Sequence, residues 1–130
     1  MKRPKGYSIT SRANHDRWRD DPQWAEMDKW TVTLKNPQGK TLSTQFWKGS
    51  GHNGAKPTFE EVVEALISDG QAYDNSADFR DFCAEFGYDL DSDKKDRDRY
   101  YKIYKACASM SPKIRAFLGE DYDKLAYDED

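Results

Sequence analysis

The chain changes its hydrophobic period once, near residue 57, and that change limits the folds open to it more than any other feature. Before it, apolar residues alternate. Trp30, Val32 and Leu34 fall on one face of an extended segment running from Trp30 to Lys35. Asn36-Pro37-Gln38-Gly39 follows. Asn opens a type I turn, Pro37 pre-sets φ at the next position, and Gly39 can take the left-handed conformation that closes a three-residue hairpin. Lys40 to Trp47 then reads as the returning strand, with Leu42, Thr44 and Phe46 inward. A lone hairpin is marginal in water, so Tyr7 to Arg12 is expected to add a third strand. Residues 14–29, NHDRWRDDPQWAEMDK, form a long polar connection that Trp18 and Trp24 are expected to tack onto the sheet.

After residue 57 the period becomes 3.6. Thr58 and Glu61 make a capping box, and Phe59, Val62, Val63, Leu66 and Ile67 trace one apolar stripe. The pattern predicts that this helix stops at Asp69-Gly70, with Gly70 as its left-handed C′ residue. A second helix is predicted from Ser76 to Gly87, presenting Phe79, Phe82, Cys83 and Phe86 to a core shared with Val63, Leu66 and Cys107. A third is predicted from Asp93 to Ser109, with Tyr100, Ile103, Tyr104 and Cys107 inward. A fourth is predicted to begin at a Ser111 cap with Pro112 in its first turn, burying Ile114, Phe117 and Leu118 and extending to Tyr122 and Leu125. Strands followed by helices specify an α+β fold. The expected architecture is an N-terminal antiparallel hairpin or three-stranded sheet with three to four α-helices packed on one face. One domain is expected over residues 1–130, with a sheet half at 1–56, a helical half at 57–127 and a short acidic C-terminal tail.

Charged residues make up 35% of the 130 residues and aromatics 14%, so low hydropathy still leaves material for one modest core. The net charge of −3 conceals a split. Residues 1–56 carry 11 Lys and Arg against 5 Asp and Glu, a balance of +6, and residues 57–130 carry 10 against 19, a balance of −9. Such a molecule presents one pole to anionic partners and the other to cationic ones. The basic start, MKRPKGYSIT, lacks the apolar run of a signal peptide, and no stretch approaches the roughly 18 apolar residues of a membrane span. Cys83 and Cys107 lie on apolar helical stripes without CxxC spacing, as expected of reduced, buried thiols in a cytoplasmic protein.

Two motifs suggest ligands and neither survives its spacing. Asp89, Asp91 and Asp93 match positions 1, 3 and 5 of a calcium loop, but Lys94 and Tyr100 stand where the loop needs Gly and a bidentate Glu. The segment reads instead as a helix start capped by Asp91 or Ser92. Residues 49–54, GSGHNG, match the dinucleotide fingerprint in letters, but no strand follows the next helix to complete a βαβ unit. They read as a sheet-to-helix connector, with Lys48, His52 and Lys56 around a backbone able to approach an anion. His15 and His52 stand at no metal-site spacing from the cysteines. The expectation is a chain with no catalytic constellation, metal or small-molecule cofactor.

Three segments carry a resemblance: FWKGSGHNGAKPTFEEVVEALISDG, FRDFCAEFGYDLDS and YKACASMSPKIRAFLG. Together, over about Ile9 to Leu125, they resemble a widespread group of small proteins encoded by phages and prophages. DDPQWAEMDKW is similar to that group's Asn/Met-containing stretch, with Gln23-Trp24 in its place. Asp93 and Lys95 stand where the group has Arg and Ala. The resemblance implies a setting, the cytoplasm of a bacterial host, and a type of activity: binding of host machinery, as by inhibitors of CRISPR or restriction systems. The expected partner is therefore a host defence protein or ribonucleoprotein complex, with weak nucleic-acid contact and no membrane. Candidate contact residues are Arg12, Arg17, Arg19, Trp47, Lys48, His52 and Lys56. The alternative is a nucleic-acid-binding accessory protein that uses the basic half, whose cations, Lys35 and Lys40 included, are interleaved with Trp18, Trp24, Trp30 and Trp47.

Overall fold

The fold was obtained as a computed structural model that describes residues 2–13, 27–49 and 56–127, with backbone alone at 27, 28 and 49. The strands are β1, Ser8–Ala13; β2, Met27–Lys35; and β3, Thr41–Gly49. They form one antiparallel sheet in the order β1-β2-β3. Four helices follow: α1, Phe59–Asp74; α2, Phe79–Phe86; α3, Lys94–Leu118; and α4, Asp121–Ala126. The architecture is the expected α+β one, with the third strand in place.

Register explains which face of the sheet is buried. Leu34 pairs with Ile9 and Leu42, Val32 with Ser11 and Thr44, and Trp30 with Ala13 and Phe46. Because strand side chains alternate, these rows share one face. Val32 and Leu34 are fully buried there against Phe59, Val62 and Val63 of α1 and Ile114, Phe117 and Leu118 of α3. The N-terminal arm crosses to the helical layer, where Tyr7 packs its ring 5.4 Å from Phe59 and 5.9 Å from Phe117. Its hydroxyl donates to Asp121 at 2.8 Å and to the Leu118 carbonyl at 3.3 Å.

The hairpin turn does more than reverse the chain. Gly39 adopts φ +86°, as the turn requires. Asn36 is buried, and its side-chain oxygen accepts from the Gln38 and Lys40 amides at 3.0 and 2.9 Å. Its amide nitrogen donates to the Phe117 carbonyl at 2.9 Å, tying the turn to the end of α3. A buried amide left unpaired would cost about 1–3 kcal/mol, so these bonds fix the turn's position as well as its shape.

Both long helices override local stop signals. α1 does not end at Gly70 but continues to Asp74, and Asn75 caps it. Gly70 is buried because α3 passes directly over it: a Cβ there would lie 3.0 Å from the Ser111 Cα. The glycine makes room rather than a turn. Likewise, the two helices expected around residues 93–109 and from Pro112 onward are one 25-residue helix with Pro112 inside it. Ser111 is not a cap. It is buried at the α1 crossing and donates to both oxygens of Asp74, at 2.9 and 2.8 Å. Pro112 points outward, and Cys107, Ser111, Ile114 and Leu118 keep one buried stripe through it.

The expected single core is two. Phe82 and Cys83 are buried, but apart from the cluster beneath the sheet. Phe82 instead meets Phe86, Tyr104 and Tyr88 at centroid distances of 4.8, 5.2 and 6.4 Å. Tyr88 stacks on Tyr100 at 4.6 Å. The eight-residue α2 packs on the first half of α3, away from the strands, so its aromatics form a satellite core. Phe86, expected inside, is 47% exposed and stacks on Tyr88 at the edge of that cluster.

Two substitutions separate these roles. Phe82→Ala should cost roughly 3–5 kcal/mol by opening a cavity in the satellite core. Gly70→Leu should cost about 1–3 kcal/mol or more by forcing α1 and α3 apart. Urea denaturation measures both, and a neutral Gly70→Leu would remove the close crossing as a constraint.

Candidate functional site

Strand alternation divides the basic residues of the sheet between two surfaces. The outer face, on the side away from the helices, consists of Ser8, Thr10 and Arg12; Lys29, Thr31, Thr33 and Lys35; and Thr41, Ser43, Gln45 and Trp47. Among the described residues it contains three cations, Arg12, Lys29 and Lys35, and no carboxylate. Hydroxyl and amide rows cross it, with Thr33 and Ser43 bonded at 3.1 Å and Thr31 donating to Gln45 at 3.5 Å. At the end of the sheet the Lys29 ammonium lies 5.3 Å from the centre of the half-buried Trp47 ring. A cation over an aromatic face restrains both side chains and leaves a mixed apolar and cationic surface.

The candidate contact residues do not all gather here. Arg12 is exposed on the outer face and Trp47 lies on the same face. Lys48 is turned inward, because it shares the parity of Leu42, Thr44 and Phe46. Its ammonium pairs with Glu61 at 2.9 Å and donates to the Lys56 carbonyl at 3.3 Å, and its side chain is only 13% exposed. The capping box at Thr58 is present as expected, and Glu61 serves it and Lys48 together. Lys48 thus clips the end of β3 to the start of α1. Lys56 is exposed beside that clip. Arg17, Arg19 and His52 lie outside the described residues, as do Trp18, Trp24 and most of the glycine loop. Trp30 is buried in the main core. Lys29, absent from the candidates, could have been found by parity: it is out of phase with Trp30, Val32 and Leu34.

Around the aromatic satellite cluster the charges are mixed: residues 78–105 carry eight Asp and Glu against seven Lys and Arg. Asp78 caps α2 and Asp93, rather than Asp91 or Ser92, caps α3, each accepting from an amide of the first turn. Asp89 accepts from the Asp91 amide, so the aspartate series is bonded to its own backbone. Among the described residues no group of three or more His, Cys, Asp or Glu side chains is placed to hold a metal ion. Nor is any described helix long and apolar enough to cross a membrane. Burial raises the Cys83 thiol, and burial with the nearby Asp69 charge pushes Cys107 up to about 11. Both thiols are therefore protonated near neutral pH, and neither offers a thiolate nucleophile.

Comparison with models of known families, with curated proteins and with solved structures finds no match for this chain. The surfaces themselves must carry the functional reading.

The Lys48–Glu61 clip predicts a signature in acid. The Lys48 hydrogen bond, above all, holds the Glu61 carboxyl below its ordinary value, with the Thr58 bonds adding to the effect against burial. A lowered folded pKa contributes stability that is complete above the unfolded pKa, about 4.3, and disappears as pH falls through the folded value. Glu61→Gln should therefore reduce stability at pH 7 and flatten its fall in that acid window. Melting temperatures measured between pH 7 and 3 check this, and an unchanged acid limb would remove Glu61 as the coupled group.

Proposed function

We propose that this chain is a non-enzymatic interaction protein, a phage- or mobile-element-type factor that inhibits a host defence complex, of the anti-CRISPR or anti-restriction kind, by occupying its surface. The observation that carries the docking reading is the outer sheet face: Arg12, Lys29 and Lys35 lie on it together with Trp47, which Lys29 covers, without an acid among them. Trp and Arg are the residues that most often anchor protein interfaces, and the Thr, Ser and Gln rows that cross the face offer hydrogen-bonding groups between them. The outer face carries one sign of charge, so a partner with a complementary acidic surface meets it in a preferred orientation. The resemblance in the KGSGHNG, GYDLDS and FLG segments supports the phage setting and the bacterial cytoplasm as the place of action.

The same face favours a second reading, single-stranded nucleic acid laid across the sheet with a base against Trp47. Its electrostatics are modest. With about −0.7 in the salt slope for each phosphate contacted on a single strand, three cations give a slope of about −2, the mark of weak, salt-sensitive binding.

The experiment pairs capture from a bacterial host lysate with a gel-shift titration at about 150 mM salt. Recovery of a protein complex that is lost with Arg12→Glu/Lys35→Glu, and retained with the distant Lys102→Glu, is the expected result. Micromolar or tighter binding of naked nucleic acid, with no protein recovered, would overturn it in favour of the second reading.

A further inference from the structure

A second basic surface lies away from the sheet's outer face and none of the candidate contact residues belongs to it. The N-terminal arm and α4 enclose an open cleft of about 490 Å³. Lys2, Arg3 and Lys5 line it from the arm, Lys124 from the helix, and Pro4 and Leu125 form an apolar floor. Asp121 is the one carboxylate in its wall, and Asp121 already accepts the Tyr7 hydroxyl. Among the described residues none of the four cationic side chains has an ion-pair partner.

The arm is held in place and does not trail in solvent. The Arg3 amide donates to Glu60 at the start of α1 at 3.2 Å. Tyr7 is clamped between Phe59 and Phe117 and bonded at its tip to Asp121 and Leu118. Anchors at both ends hold the backbone of residues 3–7 against the helical layer, and with it two of the four cations, Arg3 and Lys5. Four like charges around one cleft repel one another and destabilise the compact state unless an anion joins them. An apolar floor lowers the local dielectric response and strengthens the attraction for such an anion.

We propose that this cleft binds a multiply charged phosphate ligand, the phosphates being shared among Lys2, Arg3, Lys5 and Lys124. Its volume lies in the range of small-ligand sites, about 300–1,000 Å³, which suits an oligophosphate or the phosphates of a short nucleotide chain. Arg3 supplies the planar fork that reads two phosphate oxygens, and the lysines act as point charges around it. The site does not rest on the docking role of the sheet.

Calorimetric titration with tripolyphosphate at about 150 mM salt tests the site, with a ten-residue oligonucleotide and an oligoglutamate of equal charge as parallel arms. The expected result is a tripolyphosphate dissociation constant below about 1 mM that weakens at least tenfold in Lys5→Gln/Lys124→Gln and is unchanged in Lys102→Gln/Lys113→Gln. In low salt and without ligand, the Lys5→Gln/Lys124→Gln protein should melt higher than the parent, because repulsion is relieved, and should lose the stabilisation by tripolyphosphate. A tighter oligonucleotide than tripolyphosphate would identify the phosphate source as a nucleic-acid backbone; the reverse would identify a free oligophosphate. Equal weakening by both double variants, or oligoglutamate bound as tightly as tripolyphosphate, would show ordinary solvated lysines and overturn the proposal.

Discussion

The crossing of α1 and α3 at Gly70 and Ser111 is the contact around which the rest of the molecule is arranged. With no side chain at Gly70, the α3 backbone comes close enough for Ser111 to reach Asp74 near the end of α1. One turn later Arg115 pairs with Asp74 at 3.0 Å and lies 4.4 Å from the centre of the Tyr122 ring of α4. One carboxylate thus connects three helices. An interior proline costs a helix about 3 kcal/mol or more, largely through a lost hydrogen bond and a clash with the preceding turn. Here a buried stripe continuous across Pro112 offsets that loss, and the helix does not break.

The sheet is joined to this helical layer by two polar contacts at its closed end. Asn36 holds the hairpin turn to the Phe117 carbonyl, and Tyr7 holds the N-terminal arm to Leu118 and Asp121. Both use carbonyls from the last turn of α3, which has no further helical amides to satisfy them. Burial, and then the Asp121 hydrogen bond and charge, raise the Tyr7 phenol above its ordinary value. A free helix end becomes the fastening point of the sheet. At the other end of the sheet Lys48 performs the corresponding task at the N-terminus of α1.

These fastenings leave two surfaces uncovered by the rest of the fold. The helices occupy one side of the sheet, so its other side keeps the cations and Trp47 that burial did not use. The short α2 cannot reach the strands and gathers its own aromatic cluster, which brings Phe86 and Tyr101 to the surface beside the acidic caps. The split in the linear charge count is only partly a separation in space: the sheet's outer face and the arm are basic, but residues 78–105 around the satellite core carry eight Asp and Glu against seven Lys and Arg.

Much of this was legible from local physics. Alternation, the Asn-Pro-Gln-Gly turn with its left-handed Gly39, the Thr58 capping box and the stop of α2 at Gly87 each depend on residues within one or two turns of chain, and each stands as the sequence predicts. Parity alone would also have turned Lys48 inward and Lys29 outward. Other features have long-range causes and could be decided only by tertiary structure. Gly70 reads as a helix stop until α3 is laid over it, and Ser111-Pro112 reads as a helix start until Asp74 takes the serine hydroxyl. Asn36 reads as a turn residue until Phe117, 81 positions away, accepts its amide. Phe86 has the period of a core residue, but α2 has no second layer to bury it. Local sequence sets which conformations are cheap; the partner across the core decides which of them is kept.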